Sequence, residues 1–108
     1  MNKYDELMAK LVKFNKDRDW DQFHSPSNLA KSVVIEAGEL LECFQWNDDK
    51  YNLNEVTDEM ADVLVYLMNM ANKLGVDLLD IADKKIDRNA LKYPVDKAKG
   101  NSTKYNKL

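Results

Sequence analysis

The sequence predicts an all-α protein, a four-helix bundle, and three observations carry that expectation. Apolar residues recur at helical spacing over long stretches rich in Leu, Met, Ala, Glu and Lys. The 108 residues include 3 Gly and 2 Pro, too few punctuation points for a many-stranded sheet. Where the pattern does break, the residues have helix-capping chemistry.

The first segment runs from Lys3 to Arg18, with Leu7, Leu11 and Phe14 on one stripe. Trp20 to Ser27 interrupts the pattern. Ser25 followed by Pro26 then reads as an N-cap with proline in the first turn, opening a second helix that reaches about Trp46. A polar connection from Asn47 to Tyr51 leads to Asn52 and Glu55, a capping pair for a third helix that continues to Leu74 and stops at Gly75. Asp77 caps a fourth helix from Leu78 to Lys92, and Pro94 ends it by forcing Tyr93 out of helical geometry. From about residue 95 the chain reads as a polar tail with one aromatic, Tyr105. No repeat or long linker divides it, so residues 1–108 are expected to form one domain.

A domain this small has little surplus stability, which favours assembly into a homodimer or homotetramer. The formal charge of -3 and a pI of about 5.1 argue against a surface built to neutralise a nucleic-acid polymer. A single nucleotide is different, because one or two metal ions and a few lysines can meet its charge. The longest apolar run is broken by Asp62 and Asn69, so no membrane span is expected. Cys43 is the single cysteine and the start MNKYDELMAK lacks an apolar signal core, from which a cytoplasmic location is expected.

The informative feature is where the acids fall. On the second helix Val33, Ala37, Leu40 and Phe44 form the apolar row, and Glu36 and Glu39 flank it instead of lying opposite. Residues three apart share a helix face, so both carboxylates can reach one point, with Glu42 following at the same interval. On the third helix Glu55, Glu59, Asp62 and Tyr66 run beside Val56, Val63, Leu67 and Met70. Packing these helices antiparallel would bring Glu36 and Glu39 opposite Glu59 and Asp62. Four ionised carboxylates in a half-dry site repel unless solvated or bound to a cation. Oxygen ligands without His or Cys select Mg²⁺, with Mn²⁺ as a substitute. Acids three apart are also common on solvated faces, so spacing alone does not decide. A ferritin-like oxidase would need Glu-x-x-His, whereas the lone His24 precedes the second helix.

Beyond the acids, the strings RDWDQFHSPSNL, EAGELLECFQW, DEMADVLVYL and KIDRNALKYP, with KGNSTKY in the tail, stand in an order that resembles the MazG-like nucleotide pyrophosphohydrolases of the dCTP pyrophosphatase type. Ile35 departs from the acid that many members carry before Glu36. The resemblance implies a MazG-type bundle, a dimer or dimer-based tetramer, and cleavage of a nucleoside triphosphate to monophosphate and pyrophosphate, with dCTP or modified deoxycytidine triphosphates as substrates. It implies Glu36, Glu39, Glu59 and Asp62 as catalytic metal ligands, and Trp20, Gln22, His24, Trp46 and Tyr66 around the nucleoside. Flat indoles with one N–H donor suit a base, although a Trp ending a helix is also ordinary core chemistry. Lys85 and Asn89, four apart on the fourth helix, are candidates for phosphate contact, against simple solvation. The competing class is a non-enzymatic helical dimerisation module, which leaves the converging acids unexplained.

Overall fold

The computed structural model describes residues 2–107. Five helices account for its regular structure among the described residues, apart from two short 3-10 turns: α1 (Lys3–Asp17), α2 (Pro26–Glu42), α3 (Leu53–Leu74), α4 (Leu78–Lys92) and α5 (Val95–Ala98). The boundaries follow the capping residues. Ser25 Oγ accepts from the Asn28 N–H at 3.1 Å and Asn52 Oδ1 from the Glu55 N–H at 3.2 Å, each answering a first-turn donor that has no helical partner. Gly75 takes the left-handed conformation (φ 69°) that ends α3, and the Val76 N–H returns to the Ala71 carbonyl at 3.0 Å.

Two boundaries depart from expectation. The second helix stops at Glu42, short of Trp46, because the next amides turn tighter. Cys43, Phe44 and Gln45 donate to carbonyls three residues back, at 3.2, 3.0 and 3.1 Å. Phe44 then packs on Tyr51 across the connection, ring centres 5.0 Å apart. The tail is also more ordered than its polarity suggests: it holds α5, and Tyr105 meets Tyr93 edge-on at 6.0 Å under the Lys92 ammonium.

The chain divides into two compact units, one ending at Val76 and one beginning at Asp77. In the first, α2 packs along α3 and α1 against α3. Leu29 and Met68 are fully enclosed, joined by Leu11, Val56 and Ala71. That core is thin. Val34, Ile35 and Leu41 on α2 remain 72%, 59% and 72% exposed, apolar surface that the chain does not cover by itself. The second unit comprises α4, capped by Asp77, with α5 and the closing turn. Among the described residues no helix is long and apolar enough to cross a membrane.

Candidate active site

The site forms where α2 meets α3. Glu36 lies level with Glu59 and Asp62, while Glu39, Glu42 and Cys43 line a hollow with Glu55 and Glu59. Numbers rising on α2 therefore match numbers falling on α3, which is the antiparallel register the acid spacing implied. One carboxylate oxygen from each of Glu36, Glu59 and Asp62 lies within 4.8 Å of the others. Glu39 falls outside this trio, although its carboxyl stands beside both Glu36 and Glu59.

The electrostatics are those of an uncompensated cluster. Burial pushes the Glu36 carboxyl up to about 7, reinforced by a hydrogen bond to Glu39 and by the charges of Glu39, Asp62 and Glu59. Glu59 is raised for the same reasons, burial first and then Glu39. Oε2 of each is buried with no hydrogen-bond partner, which native structures rarely tolerate without a reason. The ion pairs Lys13–Asp17 and Lys84–Asp80 lie on exposed surface and include none of the four acids. Two orphaned acceptors in an all-carboxylate set fit a hard divalent cation, which would supply the missing positive charge and take up the free lone pairs.

Beside the acids lies an aromatic cavity. Trp20, Phe23, His24, Asn28, Leu29, Ser32 and Tyr66 line a space of about 290 Å³. Trp20, His24 and Tyr66 also wall a second space of about 190 Å³ with Leu11, Phe14, Asn15, Asp62, Val65 and Asn69. Local geometry holds Trp20 in place. Asp19 adopts φ 55°, a left-handed turn that Asp tolerates, and the Trp20 N–H then reaches back to the Asn15 carbonyl at 3.0 Å. Phe14 meets the indole edge-on at 5.6 Å. Asp62 belongs to both the acid trio and the cavity wall, with Tyr66 one turn further along α3.

Two of the anticipated residues, Gln22 and Trp46, line neither space, and two more lie on another helix. Gln22 donates its amide to the Asp19 carbonyl and carboxylate at 2.9 and 3.0 Å, bracing the turn below Trp20. Trp46 is 88% exposed after the end of α2. Lys85, exposed, and Asn89, half-buried, belong to α4 in the second unit. Polar residues that line these spaces without having been anticipated include Asn15 and Asn69. Their signal was present: each is a polar residue on the buried stripe of its helix, Asn15 four after Leu11 and Asn69 three after Tyr66.

Fold and site together define a class: an all-helical protein whose central antiparallel helices oppose carboxylates beside an aromatic cavity. The chain belongs to the MazG-like family, whose model matches residues 31–108. It is 38% identical to dCTP pyrophosphatase 1 of Mus musculus over 113 residues, and 39% identical to the Homo sapiens protein of that name. Each match covers 96% of this chain and 66% of the relative, so the chain spans about two thirds of the length of these curated relatives. The fold is similar to that of a pyrophosphatase from Archaeoglobus fulgidus, with a TM-score of 0.77 and 33% identity over 87% of this chain and 94% of that one.

Proposed function

We propose that this protein is a Mg²⁺-dependent nucleoside triphosphate pyrophosphohydrolase that converts dCTP, or base-modified deoxycytidine triphosphates, to the monophosphate and pyrophosphate, clearing unwanted nucleotides in the cytoplasm. One observation carries it: Asp62 joins a carboxylate trio with orphaned buried oxygens to an aromatic cavity, so a phosphate end and a base end meet at one side chain. The names of the relatives point to the same chemistry.

Glu36, Glu59 and Asp62, with Glu39 alongside, would hold the cation. When bound there, the cation would supply positive charge opposite the phosphates and would make a water more acidic. Glu39, which stands beside both Glu36 and Glu59, or Glu42 in the adjoining hollow would accept that water's proton. Trp20 and Tyr66 sandwich or flank the base, and His24 donates to the nucleotide from the same wall. Lys85 and Asn89 on α4 are the candidates that the family resemblance offers for phosphate contact.

The whole chain acts as one MazG-type four-helix domain, assembled as a homodimer or dimer-based tetramer. Full burial of a side chain such as Val34, Ile35 or Leu41 contributes about 1.5–3 kcal/mol, a gain that a partner subunit supplies here. Trp46, exposed in the single chain, then completes the nucleoside site at the subunit boundary. A pure dimerisation module would use the exposed apolar faces equally well, but it gives no reason to collect repelling carboxylates.

The test is pyrophosphate release from a panel of nucleotides with Mg²⁺, after EDTA, and after Mg²⁺ is restored. Turnover that vanishes and returns, highest on deoxycytidine triphosphates, is the expected result. Full activity in metal-free protein would remove the cation from the mechanism, and no release from any nucleotide would leave the dimerisation module.

A further inference from the structure

Two asparagines are buried in the first unit. Asn15 on α1 and Asn69 on α3 are 4% and 7% exposed, and Asn15 Nδ2 donates to Asn69 Oδ1 at 2.7 Å. Asparagine is a weak helix former, and a buried amide costs stability unless its hydrogen-bonding groups are met. Apolar residues at both positions would satisfy the packing with neither cost. The mutual bond uses one of Asn15's two N–H groups and one lone pair of Asn69, so the amides' total capacity exceeds what they give each other. Both line the cavity that also touches Trp20, Asp62 and Tyr66.

We propose that the Asn15–Asn69 pair is the base-reading edge of the nucleotide site and sets which pyrimidine is accepted. Aromatic walls hold any flat ring, whatever its substituents, so selectivity has to come from polar groups at the ring's edge. In the observed polarity Asn15 offers its carbonyl oxygen and Asn69 its N–H groups. The matching ligand edge places a donor beside an acceptor in that order, as cytosine does with its amino group and ring nitrogen. At those two positions uracil and thymine present the reverse order, O4 as acceptor and N3–H as donor, and binding them in the same pose requires both amides to rotate together, because turning one alone sets like groups face to face. A base lacking such an edge leaves the buried amides facing it unsatisfied.

This role rests on nucleotide hydrolysis being the chain's activity, so the experiment reads both. Full-length wild type, the Asn15→Ala/Asn69→Ala double variant and Asn69→Asp are assayed with Mg²⁺ on dCTP, dTTP and dATP. The double variant removes both amides without stranding either, and Asn69→Asp keeps size and shape while exchanging N–H donors for acceptors. Preference for dCTP over dTTP is expected to fall by about five- to 150-fold in the double variant, the usual worth of a two-point base contact. Asn69→Asp should reduce dCTP turnover more than dTTP turnover. A purely structural pair would lower the melting temperature and scale kcat/KM for all three nucleotides equally, which would overturn the proposal. An unchanged ranking would overturn it too. Wild-type protein that cleaves none of the three would overturn the activity itself, and the base-reading role with it.

Discussion

The two halves of the site are held together by opposite means. At the α2–α3 carboxylates, folding gathers like charges and leaves two buried oxygens without partners, so the arrangement costs stability. Further along α3 the aromatic cavity is held by packing contacts: Trp20 edge-on against Phe14, Leu29 enclosed, and an amide pair bonded across two helices. Stability therefore gives no reason for the cluster, whereas the cavity's contacts stabilise the unit that contains it. Truncations in the two regions should separate along that line.

The largest effect is expected at the acids. Glu36→Ala or Asp62→Ala should lower kcat by at least about 100-fold, the scale on which a group stabilising transition-state charge acts. Circular dichroism should be unchanged, and the metal-free melting temperature level or higher, since repulsion has been relieved. A sharp fall in that temperature would make the acid a structural member of the core.

Trp20→Ala should instead weaken both binding and folding. Lost stacking of about 1–3 kcal/mol corresponds to roughly five- to 150-fold in nucleotide affinity, by calorimetric titration. The melting temperature should drop as well, because the indole packs on Phe14. Trp46→Ala sharpens the contrast: with Trp46 88% exposed, affinity should fall by a similar factor at an unchanged melting temperature. Unchanged affinity would place Trp46 outside the nucleoside site.

A smaller effect follows from titration. Glu36 is raised from 4.5 to about 7 in the metal-free fold, so the folded state holds its proton more tightly than the unfolded chain does. Its contribution is fully present below pH 4.5 and is lost as pH rises towards about 7. Metal-free protein should therefore lose denaturation midpoint across that window, and Mg²⁺ should restore it most at the upper end, where the cation no longer competes with a proton. A midpoint that rises across the window would contradict the assigned direction.

Much of the acid half was legible in the sequence because its grammar is local. Glu36 and Glu39 share a helix face by arithmetic alone, and one short connection brings them to Glu59 and Asp62. The caps at Ser25, Asn52 and Asp77 were legible for the same reason. The cavity was only half legible. Trp20, His24 and Tyr66 came from resemblance, but the Asn15–Asn69 contact spans 54 residues and depends on how α1 lies on α3, which no local pattern encodes. The end of α2 was not legible, because tightening into three-residue hydrogen bonds has no sharp residue signature, unlike the glycine that stops α3.

The central claim is that the facing carboxylates of α2 and α3 hold the cation and the cavity does not. Mn²⁺ titration followed by electron paramagnetic resonance tests it most directly, in wild type, Glu36→Gln and Trp20→Ala, each first shown to be folded. Glu36→Gln should weaken Mn²⁺ binding by at least about tenfold, or 1.4 kcal/mol, while Trp20→Ala binds Mn²⁺ as wild type does. Equal Mn²⁺ affinity in wild type and Glu36→Gln would contradict the account.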